Sequence, residues 1–319
     1  MIGVMGAGAF GTALAVSLAL GGRDVVLWAR DGDAVARMRN DRVNPRLPGV
    51  TLPDTLTVTD DFDTLSGDFP VLLAVPMQKL RDAIRSQHAI LDARPLVACC
   101  KGIELATGHG PSQVIAQELP GATPALLTGP SFAADIARGL PTALTLACAE
   151  GPCAEELQTA LSAPNLRLYR TEDVVGAETG GAMKNVIAIA CGAAIGAGYG
   201  ESARAAVMTR GYAEMVRLAV ARGAQPGTLA GLSGFGDLAL TCTSTQSRNY
   251  AFGISIGEGA KFDPNITVEG AATARAVAKA SRALGVEMPI TQVVVALIDG
   301  KVDMETALGM LLSRPLKEE

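Results

Sequence analysis

The glycine spacing near the N-terminus constrains the fold of this chain more than any other feature. Residues 2–5 form a short apolar run, and G-x-G-x-x-G follows at Gly6, Gly8 and Gly11. A helical pattern comes next, and then a second strand-like run at 25–28. In this β-α-β setting the first glycine allows a tight turn, the second lets backbone approach a pyrophosphate, and the third lets the helix pack close to the strand. The motif predicts a dinucleotide-binding turn, with the N–H groups of the helix N-terminus facing the anion.

The residues after the second strand bear on which dinucleotide binds. An acidic residue at this point commonly binds the ribose hydroxyls of NAD. Here the chain has Arg30, with Asp31 one position later. A guanidinium could pair with the 2′-phosphate of NADP, or it could be an ordinary solvated side chain. We favour NADP, with NAD as the alternative, and use of both stays open.

Four further apolar runs follow in the first half of the chain, with helical or loop stretches between them. They cover residues 70–76, 95–102, 124–132 and 141–147. Near-continuous apolar strands that alternate with helices predict a doubly wound parallel sheet covered on both faces. Ligands bind beyond the carboxyl ends of such strands. Lys101, Gly129 and Ser131 fall there and are therefore candidate site residues.

Strand signals stop near residue 170, and the remainder has helical composition and spacing, most clearly at 180–198, 203–223 and 273–285. The sequence therefore predicts an α/β fold, with an N-terminal Rossmann-like doubly wound parallel sheet and a C-terminal all-helical domain. We place the NAD(P)-binding domain at 1–172 and the helical substrate-binding and catalytic domain at 173–319. Such pairs of domains usually bind the substrate in the cleft between them.

Charge and composition exclude several classes of function. The net charge is -5 and the pI is near 5.2, so no basic surface indicates a nucleic acid or an anionic membrane as partner. The sequence shows neither a signal-peptide pattern nor a membrane-spanning stretch. Six cysteines without a C-x-x-C pair predict a reducing compartment and hence a cytoplasmic protein. With only two histidines, we expect no metal site.

Lys184 interrupts the apolar, glycine-rich helix predicted at 180–198. It could snorkel, with its methylene stem buried and its ammonium in water. Alternatively, it is kept partly dry so that it can exchange a proton. A lysine that acts as a base near pH 7–8 needs its pKa lowered by about three units from ~10.4, or roughly 4 kcal/mol. An apolar helix and a second lysine nearby could supply that shift.

Two polar clusters interrupt the helices of the second half. The first, residues 231–249, combines glycine turns and hydroxyls with Asp237 and Arg248 and suits an anionic ligand. A capped loop between helices would explain the same residues. The second, residues 267–275, contains Glu269, which also fits an ordinary acid in the first turn of a helix.

These segments, in this order, resemble the bacterial NAD(P)-dependent glycerol-3-phosphate dehydrogenases along nearly the whole chain. The resemblance rests on GAGAFGTALA, KGIE, GPSFAADIARGLPTA, GGAMKNVIAIACG, TRGYAEM, GDLALTCTSTQSRN, VEG and VEMPIT. It implies reversible reduction of dihydroxyacetone phosphate to sn-glycerol 3-phosphate with NAD(P)H, which supplies the backbone of phospholipids. NADPH is the favoured cofactor and the triose phosphate is the small-molecule partner.

The resemblance also implies the roles of individual residues. Lys184 matches the proton-transfer lysine, and Lys101 and Asp237 match residues that position this lysine and the substrate. The implied cofactor-binding residues are Gly6, Gly8, Ala9, Phe10, Gly11, Arg30, Lys101, Ala133, Arg248, Thr267 and Glu269. The implied substrate-binding residues are Lys101, Gly129, Ser131, Lys184, Asp237, Ser247, Arg248 and Asn249.

Departures from the family pattern and two rival functions stay open at this point. The chain has Ser202, Phe235 and the pair Tyr250-Ala251 where the family usually has other residues, and the pair could alter the rim of the phosphate site.

A two-domain β-hydroxyacid or sugar-acid dehydrogenase would prefer a carboxylate substrate. A non-catalytic NAD(P) redox sensor would need the glycine turn but not the lysine. The apolar helices of the second half could bury a homodimer interface or form the core of one subunit.

Overall fold

A computed structural model of the protein describes residues 1–264 and 266–313. These residues fold into two compact units. Unit 1 consists of Met1–Lys101 and His109–Glu178. Unit 2 consists of Gly102–Gly108 and the described residues from Thr179 onward. The short segment Gly102–Gly108 thus belongs to unit 2, although it lies within the first half of the chain.

Unit 1 contains an eight-stranded sheet. Its strands are β1 (Ile2–Met5), β2 (Val25–Trp28), β3 (Leu56–Thr59), β4 (Val71–Leu73), β5 (Pro95–Ala98), β6 (Thr123–Thr128), β7 (Thr142–Cys148) and β8 (Leu166–Thr171). They are ordered β3-β2-β1-β4-β5-β6-β7-β8. Every neighbouring pair is parallel except β6 and β7, which are antiparallel. The predicted α/β fold with a doubly wound sheet is confirmed.

Helices cover both faces of this sheet. They are α1 (Ala9–Leu20), α2 (Gly32–Asp41), α3 (Met77–Arg85), α4 (His88–Leu91), α5 (Pro111–Glu118), α6 (Ala133–Ala137) and α7 (Gly151–Leu161), with a 3-10 turn at Phe62–Leu65. Successive strand residues alternate between two buried clusters: Leu72 packs in the cluster that contains Leu14 of α1, whereas Val71 and Leu73 pack in the one that contains Leu80 of α3. Burial on both faces explains why these strands are near-continuously apolar.

Two features of the sheet differ from the expectation. The strands β3 and β8 were not predicted, because both lie at edges of the sheet and β8 alternates buried and exposed residues instead of forming an apolar run. In addition, β7 runs antiparallel to β6. The connection between them contains only the five-residue helix α6, and the chain turns back instead of crossing over to a parallel strand.

All regular secondary structure among the described residues of unit 2 is helical, as predicted. The long helix α8 (Val174–Gly196) begins in unit 1 and continues into unit 2. The remaining elements are α9 (Gly200–Ala221), α10 (Pro226–Leu229), a π-helical turn (Leu232–Gly236), α11 (Asp237–Thr241), α12 (Arg248–Gly257), α13 (Glu269–Ala283), α14 (Pro289–Ile298) and α15 (Met304–Leu312). Within the described part of the chain, no helix combines the length and apolar character needed to cross a membrane.

Glycines bring α8 and α12 into backbone contact. A Cβ atom on Gly192 or Gly196 of α8 would overlap the carbonyl oxygen of Tyr250 or of Ile254. The relation is reciprocal, because a Cβ on Gly253 of α12 would overlap the carbonyl oxygen of Ile189. Such small-residue crossings let two helices approach more closely than ordinary side-chain packing allows. This crossing fixes the start of α12 relative to the middle of α8, and both segments carry predicted site residues.

Candidate functional site

The first predicted site lies in unit 1, at the turn between β1 and α1. Gly6 has φ +119°, a conformation that favours glycine, and its N–H donates to the carbonyl oxygen of Trp28 at 2.9 Å. A Cβ on Gly6 would lie 2.7 Å from the carbonyl oxygen of Ala74. A Cβ on Gly11 would lie 2.7 Å from Cβ of the same alanine and would overlap the carbonyl oxygen of Gly6. Both positions therefore have room only for glycine.

Gly8 differs from these two glycines because it faces open space. Apart from its neighbours in the chain, no described residue has an atom within 4 Å of the place where its Cβ would be. It is the N-cap residue of α1, and as a glycine it has no side chain with which to cap the helix. The first helical residues, Ala9 and Phe10, are partly buried. An uncapped helix N-terminus that faces an open cradle is suited to the pyrophosphate of a dinucleotide, so the residues present fit that group.

Two charged residues, Arg30 and Asp31, follow β2, and only the aspartate has a capping role. Arg30 is exposed. Asp31 is the N-cap of α2, and its Oδ1 accepts a hydrogen bond from the backbone N–H of Ala34 at 3.1 Å. This carboxylate is held at the helix end by its capping role. The arrangement leaves Arg30 as the residue at this strand end with an exposed charged group suited to a phosphate.

Three predicted residues meet beyond the neighbouring strands β5 and β6. Lys101 Nζ donates to the carbonyl oxygen of Gly129 at 3.1 Å, and Ser131 Oγ donates to the same oxygen at 3.1 Å. Gly129 has φ +136°, and a Cβ there would lie 3.2 Å from Cα of Leu144. Ala133 follows as the first residue of α6. The structure thus brings Lys101, Gly129 and Ser131 together, although Lys101 is distant from the other two in sequence.

The second predicted site lies in unit 2 and is centred on Lys184. This residue is 8% exposed, and its Nζ lies 3.0 Å from Oδ1 of Asp237, which is 1% exposed. Lys184 Nζ also donates to Thr241 Oγ1 at 2.9 Å, and that hydroxyl donates to Asp237 Oδ1 at 3.2 Å. The snorkelling interpretation of Lys184 is therefore wrong, because its ammonium is buried and paired. Burial disfavours the charged amine, whereas the adjacent carboxylate favours it.

The π-helical turn Leu232–Gly236 positions Asp237. The N–H of Gly236 donates to the carbonyl oxygen of Gly231 at 3.1 Å, the five-residue spacing of a π-helix. This turn lies against α8, since a Cβ on Gly180 would be 2.5 Å from the carbonyl oxygen of Ser233. Gly180 is one helical turn before Lys184, so the same contact brings α11 next to the lysine. Single π-turns inside helices frequently occur at functional sites.

The Ser247-Arg248-Asn249 segment forms the beginning of α12. Ser247 is its N-cap, and its Oγ accepts from the N–H of Tyr250 at 3.2 Å. Arg248 is exposed. Asn249 connects two other helices: its Nδ2 donates to Oδ1 of Asn185 on α8 at 2.9 Å, and its Oδ1 accepts from the N–H of Gly270 on α13 at 2.9 Å.

The remaining predicted cofactor residues of unit 2 lie around the start of α13. Glu269 is the first residue of this helix and is partly buried, and Thr267 is exposed just before it. Because Asn249 also binds the first turn of α13, these residues are connected to the α12 N-terminus. Tyr250, one of the departures from the family pattern, is 3% exposed and packs inside unit 2. It is therefore not part of an exposed rim.

Two residues of this cluster were assigned no role from the sequence. Thr241 lies one helical turn after Asp237, so the i, i+4 spacing was an available signal that both face the same neighbour. Asn185 follows Lys184 directly, and only its contact with Asn249, 64 residues away in the chain, gives it a place in the network. Both side chains are buried.

Comparisons with known proteins indicate one and the same family for both halves of the chain. The family model for the N-terminus of NAD-dependent glycerol-3-phosphate dehydrogenases matches residues 1–154. The family model for their C-terminus matches residues 173–309. A Ruegeria sp. (strain TM1040) protein named glycerol-3-phosphate dehydrogenase (NAD(P)+) is 61% identical over 319 residues, which cover 100% of this chain and 99% of the relative. A Paracoccus denitrificans (strain Pd 1222) protein of the same name is 60% identical, with coverage of 100% and 99%.

A solved structure is similar over the same extent. The crystal structure of glycerol-3-phosphate dehydrogenase from Coxiella burnetii superposes with a TM-score of 0.92 and 36% sequence identity. The match covers 98% of this chain and 98% of that one.

Proposed function

The chain belongs to the NAD-dependent glycerol-3-phosphate dehydrogenase family, and from this premise we propose how its own residues carry out the reaction. The activity is the reversible reduction of dihydroxyacetone phosphate to sn-glycerol 3-phosphate with NAD(P)H, and the product is the backbone of glycerophospholipids. The resemblance that the sequence motifs indicated is confirmed. The roles of individual residues, the domain boundary at 172/173 and the preferred nucleotide are our proposals.

Lys184 is the proton donor and acceptor of this proposal, and its buried pair with Asp237 is the observation that carries it. In the direction of reduction, the carbonyl oxygen of the substrate gains negative charge and takes a proton from Lys184 Nζ. In the direction of oxidation, the neutral amine removes the proton of the hydroxyl. Asp237 stabilises the ammonium form, and with Thr241 it holds Nζ in one orientation.

The substrate phosphate requires a local positive charge on a chain whose net charge is -5. We assign this role to Arg248, the exposed first residue of α12, together with Ser247 and Asn249. Lys101, with Gly129 and Ser131, would contact the substrate from the carboxyl ends of β5 and β6. A bound phosphate provides binding energy that can orient the reacting carbon.

NAD(P)H, when bound, supplies the hydride for this reaction. In unit 1 the residues that would hold it are Gly6, Gly8, Ala9, Phe10, Gly11, Arg30, Lys101 and Ala133. In unit 2 they are Arg248, Thr267 and Glu269. The exposed guanidinium of Arg30 beside a capping carboxylate supports a preference for NADPH.

A cytoplasmic location and a homodimer complete the proposal. No disulfide bond joins any of the six cysteines, all of which lie in the described part of the chain, and this suits a reducing compartment. The homodimer would form through apolar surface on the helices of unit 2, and light scattering during size-exclusion chromatography would measure its mass.

The decisive experiment follows NAD(P)H absorbance with dihydroxyacetone phosphate and then with a panel of keto acids, each with both nucleotides. We expect oxidation of NADPH and NADH with the triose phosphate and background rates with the keto acids. Turnover of a keto acid in preference would indicate a hydroxyacid dehydrogenase. Nucleotide binding without turnover of any substrate would indicate a redox sensor, and either result would overturn the proposed roles.

A further inference from the structure

Asn44 lies beneath the glycine turn, in the loop that follows α2. The residue is 4% exposed. Its Nδ2 donates to the carbonyl oxygen of Ala7 at 3.1 Å and to Thr12 Oγ1 at 2.7 Å. Its Oδ1 accepts from the N–H of Arg46 at 3.0 Å. A buried amide on a loop 37 residues from Ala7 thus connects the glycine turn and the first turns of α1.

The loop that carries Asn44 is itself fixed. Arg42 has φ 52° and ends α2 in the left-handed conformation, and its guanidinium donates to the carbonyl oxygens of Leu52, Pro53 and Leu56. Leu47 and Leu52 are buried in the cluster that also contains α1 residues. The position of the Asn44 side chain is therefore set by packing on both sides of it, and it can hold another group in place.

The planar peptide bond between Ala7 and Gly8 links the hydrogen bond from Asn44 to the direction of the Gly8 N–H. The carbonyl of Ala7 and the N–H of Gly8 belong to one planar trans unit and point in opposite directions. A donor that holds the Ala7 oxygen on the buried side therefore directs the Gly8 N–H toward the other side. Within residues 1–264 and 266–313, only the chain neighbours of Gly8 approach a Cβ built on it within 4 Å, so this region of the turn is open.

We propose that Asn44 is a positioning residue for the dinucleotide, acting through Ala7 to aim the Gly8 N–H at the pyrophosphate. This inference rests on the proposed function for its ligand, and it adds a residue outside the glycine motif. The pyrophosphate is common to NADH, NADPH and ADP-ribose. Asn44 accordingly affects the affinity of all three ligands by the same factor and leaves the preference between the two nucleotides unchanged.

The test is the variant Asn44→Ala, with calorimetric titration of ADP-ribose and fluorescence titration of NADPH and NADH. We expect each dissociation constant to rise about tenfold, the effect of losing roughly one oriented hydrogen bond. The ratio of the NADPH and NADH constants should stay at its wild-type value. With saturating nucleotide, kcat and the KM for dihydroxyacetone phosphate should also match wild type, which separates positioning of the nucleotide from general damage.

Gln158→Ala is the matched control, because Gln158 Nε2 donates to the carbonyl oxygen of Leu168 at 2.7 Å between α7 and β8. It removes an amide-to-carbonyl bond from unit 1 and should leave all three dissociation constants unchanged. If Asn44→Ala does not fold, Asn44→Asp keeps the side-chain volume and the acceptor for Arg46 while losing the donors, and it should show the same loss of affinity.

Wild-type dissociation constants in a folded Asn44 variant would overturn the inference, as would a loss confined to one nucleotide. The proposed function fails differently, since wild-type protein would then not oxidise NAD(P)H with dihydroxyacetone phosphate at all. The two failures are therefore distinguishable in one set of measurements.

Discussion

Lys184 Nζ and Asp237 Oδ1 are 3.0 Å apart in unit 2, and both side chains are buried. The lysine comes from the middle of α8, and the aspartate is the first residue of α11, directly after a π-helical turn. In a buried pair of this kind each charge depends on the other. Removing either partner leaves the remaining charge buried and uncompensated, which is strongly destabilising.

Lys184→Ala should lower kcat by about a thousandfold or more, because the group that exchanges the proton is absent. Binding of NADPH, measured by fluorescence titration, should stay within about twofold of wild type, since the glycine turn belongs to unit 1. Lys184→Arg is the matched variant: it keeps a cation next to Asp237 but cannot release a proton at working pH. Near-wild-type turnover in either folded variant would remove Lys184 from its assigned role.

Arg30→Ala should raise the KM for NADPH by about tenfold and leave that for NADH nearly unchanged, because the lost guanidinium would pair only with a 2′-phosphate. Initial rates with each nucleotide measure the effect. Arg37→Ala removes an exposed arginine from the adjacent α2 helix and serves as the charge-matched control. Equal changes for both nucleotides would show that Arg30 does not discriminate between them.

Gly253→Ala should destabilise the protein by about 1–3 kcal/mol, because the new methyl group would overlap the carbonyl oxygen of Ile189 and separate α12 from α8. The KM for dihydroxyacetone phosphate should rise as well, since α12 carries Arg248. Urea unfolding and steady-state kinetics measure the two effects. In the control Gly309→Ala at an exposed position of α15, the methyl group meets no described residue within 4 Å outside its own stretch of helix, and stability should rise by roughly 0.5–1 kcal/mol. A neutral Gly253→Ala would contradict close contact between the helices.

Glu214 should make stability depend on pH. It is 1% exposed, and its carboxylate accepts hydrogen bonds from the N–H groups of Ile290 and Thr291 at the start of α14. Burial raises the pKa of this carboxyl above its ordinary value, and this effect exceeds the opposing effect of the hydrogen bonds. Between the ordinary and the raised value, the native state binds more protons than the unfolded chain, so stability falls as pH rises through that window.

The variant Glu214→Gln lacks this titration and isolates it. We expect the stability advantage of wild type over the variant to be greatest below about pH 4.5 and to decrease at higher pH, because only wild type loses the proton. Urea unfolding at a series of pH values measures this difference. An advantage that grows with pH would show that the hydrogen bonds, and not burial, dominate the carboxyl group.

Much of the fold could be predicted from local patterns. Strands with both faces buried must be apolar along their whole length, and this signal located β1, β2 and β4 to β7. The edge strands β3 and β8 lack this continuous apolar signal. In β8, one face is exposed and carries residues such as Arg167 and Tyr169. The antiparallel direction of β7 depends on how a short connection turns, which apolar runs do not encode.

The sequence by itself determined the glycine turn, the apolar helix around Lys184 and the order of motifs that indicates the family, because each depends on residues close together in the chain. Only the tertiary structure decided which polar groups meet: Thr241 contacts Lys184 across 57 residues, Asn249 contacts Asn185 across 64, and Asn44 reaches Ala7 across 37. The physical reason is that a hydrogen bond requires a separation of about 3 Å. Distances of that size between remote residues are set by helix packing, including the glycine contacts of α8 and α12, and not by local spacing.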